Sequence, residues 1–341
     1  MNEVNGLNTQ SNLSVQDLLQ KLASDQDLPT LAELSVLSDL GPADVRLLQD
    51  RWLAIPETRR LYAVRSLVED ARENLHLFLG GLLRLALSDP NSQIRQLAIQ
   101  GLWEEISEDL VGPLVQLLLN DPDPAVRAEA AKALGFFVLA GELDELDASA
   151  GLRAEEALLS VLRNEEELLA VQSKALESLA FSGEMGVRQL IEDAYYSPYE
   201  EMNVSALTAM GRSADIRWRG LVRAELRNPS PAMRAAAARA CGELEAHAAL
   251  DELLDLLTDP DQDVRLAAIF ALGRLGGDEA QEALEVMAAG EDELEAAAAE
   301  DALEEMSFYG ESEEIPLFDE SLAEPDEWDR DPWGPVWDDE G

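Results

Sequence analysis

The sequence predicts an all-α chain, an α-solenoid (superhelix) of about seven to eight tandem helix-turn-helix units. Three observations predict it: a motif that recurs along the chain, apolar residues at helical spacing inside each copy, and Asp-Pro or Asn-Pro pairs where one helix must stop. The motif is plainest in SDPNSQIRQLAIQGL (88–102), NDPDPAVRAEAAKALG (120–135) and TDPDQDVRLAAIFALGRLG (258–276), and NPSPAMRAAAARACGEL (228–244) repeats it with Met for Val. Anchored on the apolar residue before the Arg (Ile94, Val126, Met233, Val264), it exposes weaker copies at Val171, Met202 and Leu294. The spacings are then 32, 45, 31, 31, 31 and 30 residues. A degenerate copy begins near Arg59 and Arg60.

Within a copy, Val126, Ala130, Ala133 and Leu134, like Val264, Ala268, Ala271 and Leu272, mark one buried helical face. Leu250, Leu253, Leu254 and Leu257, or Leu114, Leu117 and Leu118, mark the helix before it. That helix ends where the residue before proline is pushed out of the α region. Ala at the crossing positions lets two helices approach while the Leu row fills the seam. One such hairpin cannot bury its own apolar face, so neighbours must stack around a continuous core. Residues 1–28 read as a loose N-terminal arm with one short helix at Val15–Leu22. Leu31–Leu40 and Pro42–Leu53 form a helical pair, with Pro42 suited to a first helical position. The solenoid covers 29–306, with an insertion near 139–157 expected as a loop or longer helix on one edge. Residues 307–341 read as an acidic, tryptophan-bearing disordered tail.

Composition narrows function further. The 341 residues are 47% hydrophobic, 5% aromatic and 28% charged, enough for a packed core. Lys and Arg number 25 against 70 Asp and Glu, a net charge of -45. Such a surface repels phosphate backbones and anionic head groups, so neither nucleic acid nor membrane is an expected partner. The N-terminal residues lack a basic region followed by an apolar stretch, and no run long and apolar enough to span a bilayer occurs; a cytoplasmic location is expected. The single cysteine, Cys241, leaves no internal disulfide and no cysteine-only zinc site.

The pattern DP-x-x-x-VR-x-x-A-x-x-ALG resembles HEAT repeats, in the short form typified by the phycocyanobilin-lyase HEAT-like repeats, over roughly residues 59 to 306. The resemblance implies a ladder between adjacent repeats built from the turn Asp and the Arg six residues later: Asp89 with Arg95, Asp121 with Arg127, Asp259 with Arg265. The pattern departs at Asn228 with Arg234, at Glu166 with Gln172, at Ser197 with Asn203, and at Glu295, where the Arg is lost. Similar repeats serve bilin lyases, diiron deoxyhypusine hydroxylases and plain adaptors. The hydroxylase metal site implies His-Glu dyads, whereas here His76 precedes Leu77 and His247 precedes Ala248. No catalytic residue, metal or cofactor is therefore expected.

The remaining motifs have structural readings. Asp259, Asp261 and Asp263 superficially suggest a calcium loop, but Val264 and Phe270 stand where an EF-hand needs Gly and Glu; helix capping accounts for them. Cys241 falls where other copies carry Leu102, Leu134 and Leu272, a core position for a structural thiol. Two surfaces are candidates for binding. One is the tail, where Trp328, Trp333 and Trp337 are interleaved with Asp and Glu. The other is the concave face of the second helices, with Gln96, Trp103, Glu129, Lys132, Phe136, Glu177, Arg239, Phe270 and Arg274 at its exposed positions. The expected function is a non-catalytic protein-protein interaction scaffold or adaptor, using the solenoid surface and the tail on partners with basic patches. The alternatives are a lyase- or oxidoreductase-type HEAT-repeat enzyme or subunit, and an acidic mimic of DNA.

Overall fold

The computed structural model describes residues 13–24, 27–72 and 76–313, and among these no strand occurs. α1 (Val15–Ala23) and the short α2 (Leu31–Leu34), which runs into a 3-10 turn, cap the N-terminal end. Eight hairpins follow: α3 (Pro42–Arg51) with α4 (Glu57–Ala71), α5 (Gly80–Ala86) with α6 (Ser92–Gly101), α7 (Glu108–Asn120) with α8 (Pro124–Glu142), and α9 (Ala148–Leu162) with α10 (Leu169–Leu179). Then come α11 (Met185–Tyr195) with α12 (Glu200–Arg212), α13 (Arg219–Glu225) with α14 (Pro231–Glu243), α15 (Leu250–Leu256) with α16 (Gln262–Leu275), and α17 (Asp278–Ala288) with α18 (Glu293–Glu313).

The turns of the three Asp-Pro hairpins are each set by two acidic or amide side chains. In the Asp-Pro turns, Asp89, Asp121 and Asp259 each accept the N–H two residues on. The next such side chain (Asn91, Asp123, Asp261) then caps the first free N–H groups of the second helix. Asp261 is thus a cap, and Asp259 faces an arginine.

Successive second helices pack closely at every step from α4 to α18, whereas among first helices only α3–α5, α7–α9 and α15–α17 meet, and more loosely. The second helices therefore form the inner, shorter arc of the superhelix. Glycine nine residues after the anchor makes this approach possible. A Cβ on Gly211 would lie 2.9 Å from the Ala240 Cα, on Gly242 2.8 Å from the Ala271 Cα, and on Gly273 2.8 Å from the Ala302 Cβ. Around that seam Val126, Ala130, Leu134, Val264, Ala268 and Leu272 are all fully buried.

A ladder runs along the turn edge, offset by one repeat from the pairs read in sequence. Each arginine gives one Nη to the carbonyl of its own turn and spans the carboxylate of the next turn with the rest of its fork. Arg95 donates to the Asp89 carbonyl at 2.7 Å and to both Asp121 oxygens at 2.7 Å. Arg60 opens the ladder on Asp89, which also accepts the Trp52 indole N–H. Arg127 reaches Glu167, Arg234 reaches Asp259, and Arg265 reaches Glu295. At the turn where the pattern departs at Glu166, its neighbour Glu167 supplies the carboxylate that Arg127 grips. Gln172 and Asn203 still bind the carbonyls of their own turns. Neither has the length or charge to reach the next turn, so the ladder lapses between Glu167 and Arg234.

Other expectations are also revised. Leu294 is 56% exposed and Glu295 is buried, so the last copy is anchored at Glu295, one residue later. The N-terminal helix is no loose arm: Leu18 and Leu22 of α1 are fully buried and Ser14 closes a capping box with Asp17. The insertion lengthens α8 and α9, whose backbones meet where Gly141 faces Gly151. Helix α18 passes the expected boundary at 306 and continues to Glu313.

The Arg95–Asp121 pair has side chains only 9% and 3% exposed. Asp121→Ala is therefore expected to cost about 3–5 kcal/mol, while the double change Arg95→Met with Asp121→Leu stays near wild type; urea unfolding midpoints check both. Gly242→Ala is expected to destabilise by about 1–3 kcal/mol through overpacking. Gly112→Ala, in open space inside α7, is expected to stabilise by about 0.5–1 kcal/mol, and thermal melts separate the two signs.

Candidate functional site

Helical phase decides which residues the inner arc presents: those three, six and ten positions after each anchor. From α8 to α16 these are Glu129, Lys132 and Phe136, then Lys174, Glu177 and Phe181, then Ser205, Thr208 and Arg212. Ala236, Arg239 and Glu243 follow on α14, and Ala267, Phe270 and Arg274 on α16. Five of these are Lys or Arg against three Glu, in a chain with 25 basic and 70 acidic residues. Helix α18 continues the arc with Asp301 and Glu305, so the basic and aromatic stretch is confined to α8–α16.

Two clusters divide it. Near the N-terminal end Trp103, 57% exposed, and Phe136 line a groove of about 260 Å³ with Arg72, Gln100, Glu129 and Lys132. Gln100 donates to Glu129 at 3.2 Å. Toward the C-terminal end arginines lie over rings, Arg212 with its guanidinium carbon 5.8 Å from the Phe181 centroid and Arg239 6.0 Å from that of Phe270. Arg274 donates to Glu305 of α18 at 3.0 Å. Glu177, expected at an exposed position, is instead buried: it accepts from Lys174 at 2.8 Å and from Ser205 at 2.9 Å, with Arg212 3.7 Å away. The arc curves tightly enough that α12 covers it.

Glu243 sits against Gly211, where any Cβ would collide with its carboxylate. Burial pushes its carboxyl above the ordinary range, opposed by the fields of Arg212, Arg239 and Arg274. These residues escaped sequence reading, Phe181 and Arg212 because their repeats are the degenerate ones. The signal that finds them is the position ten residues after the anchor.

Burial pushes the Cys241 thiol up to about 12, with the Glu252 charge acting the same way, so it is a packing residue rather than a thiolate. His247 is exposed at the rim of a larger hollow, and His76 is exposed far from it. Among the described residues, no group of three or more His, Cys, Asp or Glu side chains is arranged to hold a metal ion, and no helix is long and apolar enough to cross a membrane. Trp328, Trp333 and Trp337 lie outside the described residues.

Because Glu243 holds its proton more tightly folded than unfolded, its ionised form opposes folding at neutral pH. That opposition eases as pH falls through the raised folded value toward the ordinary one. Glu243→Gln is thus expected to raise the melting temperature at pH 7 and to lose that advantage near pH 4.

Comparison with known proteins agrees with this architecture. The family model described as HEAT repeats matches residues 81–153 and 220–304. No curated protein matches the chain. Among solved structures it is similar to the complex of CpcE and CpcF of phycocyanin lyase from Nostoc sp. PCC7120, at 18% identity and TM-score 0.46, covering 67% of this chain and 94% of that one. It is also similar to human deoxyhypusine hydroxylase, at 16% identity and TM-score 0.35, over 86% and 96%. Importin beta gives 15% identity and TM-score 0.43, over 84% of this chain and 46% of that one. At these values the likenesses say nothing of activity or partners. The matched stretches contain the Asp-Pro turns at Asp89, Asp121 and Asp259 and the arginines that follow them, so the chain carries HEAT repeats there.

Proposed function

We propose that this chain is a non-catalytic cytoplasmic scaffold that binds protein partners along its inner arc. Its acidic outer surface and acidic C-terminal segment draw partners bearing basic patches. The observation that carries the reading is the strip of half-exposed aromatic and basic side chains running unbroken over α8 to α16. Residues placed only for stacking are buried or paired within the ladder, whereas Trp103, Phe136, Phe270 and Arg239 fill no core position. Aromatic and arginine side chains of this kind are the usual anchors of protein interfaces. A net charge of -45 speeds encounter with positive partners and suppresses self-association.

Partner capture by the full chain at low and high salt, compared with the variants Phe136→Ala/Phe270→Ala, tests the proposal. Capture is expected to weaken with salt through the outer charge, and to fall at least tenfold on loss of two anchors of about 1–2 kcal/mol each. An unchanged partner set under both conditions and in both proteins would sink it.

A further inference from the structure

The basic strip of the inner arc is anomalous in so acidic a chain; Arg212 lies beside the buried Glu177 and Arg274 holds Glu305, yet each guanidinium keeps an edge on the open side of the arc. Arg239 is exposed, with its guanidinium carbon 6.0 Å from the Phe270 ring centroid. Arg212 lies over Phe181 in the same manner. A ligand suited to this strip brings carboxylates for the guanidinium forks and flat rings to extend the arginine–phenylalanine stacks. The chain carries such a segment itself. Residues 314–341 contain eleven Asp or Glu against one Arg, with Trp328, Trp333 and Trp337 set among them.

Where that segment begins also fits. Helix α18 ends at Glu313, and its Glu305 already holds Arg274, the last cation of the strip. Neighbouring helices in a stacked row lie about 8–10 Å apart, so α10 is roughly 40 Å from α18. Twenty-eight residues reach about 90 Å when extended. Charge does not oppose the contact at close range, because the Debye length of about 8 Å at physiological salt screens the distant acidic surface and leaves the nearby arginines to decide.

We propose that residues 314–341 dock in the inner arc of the same chain, their carboxylates on Arg212, Arg239 and Arg274 and their tryptophans beside Phe181 and Phe270. This rests on reading the arc as the binding surface, and it makes the segment an intramolecular occupant that an outside partner must displace. Tethering supplies an effective concentration in the millimolar range, so weak contacts suffice.

Acrylamide quenching of the full chain tests the proposal without any outside partner. Trp52 is buried, so in a Trp103→Phe/Trp218→Phe background the quenching reports on the indoles at 328, 333 and 337. Their quenching constant is expected to be about half that of a synthetic peptide of residues 314–341, given the tethered occupancy. It should rise to the peptide's value in Arg212→Glu/Arg239→Glu/Arg274→Glu. The corresponding Arg→Gln triple variant gives the same readout should charge reversal disturb folding, as judged by circular dichroism. Three results overturn the proposal: indoles as accessible in the parent chain as in the peptide, protection that survives the arginine changes, or protection lost on dilution, which assigns the docking to a second copy. Capture of outside partners is unaffected by any of these, so failure here leaves the scaffold reading standing.

Discussion

The close approach of successive second helices is the constraint from which the rest of this molecule follows. It demands that the crossing residues be Gly and Ala, which is why the repeats carry so recognisable an Ala-rich run. It also shortens one arc relative to the other and so creates the curvature. The same residues that vanish into the crossing push the longer side chains, three, six and ten positions from the anchor, to the margins of the seam, where they line the inner face. A binding surface is thus the by-product of a packing rule.

The ladder has a different task. Buried ion pairs of this kind roughly break even against apolar packing, so their value lies in register. An arginine that grips the carbonyl of its own turn and the carboxylate of the next fixes how far one hairpin is rotated on its neighbour. Gln172 and Asn203 retain the first grip and drop the second, so α10 to α14 are held together by the Gly211–Ala240 type of crossing without that second fixing point. At the far end Glu295 occupies an anchor position that elsewhere is Val, Met or Ile. The Arg265 guanidinium needs a counter-charge there, because the turn between α17 and α18 carries Gly290 where Asp89, Asp121 and Asp259 stand in earlier turns.

Periodicity of Val, Ala and Leu, read with the Asp-Pro turns, made the hairpins, their number and the caps legible in the sequence. Wherever one residue could be traded for its neighbour the reading slipped. Leu294 looked like an anchor because apolar residues usually are, and only the ladder shows that Glu295 takes the place. Glu166 and Glu167 are equivalent in composition and differ in which faces Arg127. The pairing of each Arg with the following turn rather than its own depends on how hairpins stack, which spacing alone does not encode. Glu177 appeared exposed because helical phase places it on the inner face, yet phase says nothing of how closely α12 approaches. Arg212 and Phe181 were hidden for the opposite reason, being conspicuous only once the degenerate repeats are aligned by structure.

The offset ladder has a consequence for how such a chain can be edited. Because every rung joins an arginine to the following turn, a repeat is a module with a donor at one end and an acceptor at the other, like a link with a hook and an eye. The stretch from Asp89 to Asn120 is such a link. Excised whole, it would bring Arg60 to Asp121, two groups already suited to each other. The hairpin carrying Gln172 has an eye but no hook, and excising it would strand Arg127, whereas the hairpin carrying Asn203 has neither and its removal strands no charge. Deletion is therefore constrained most where an arginine reaches into a repeat that cannot pass the grip on.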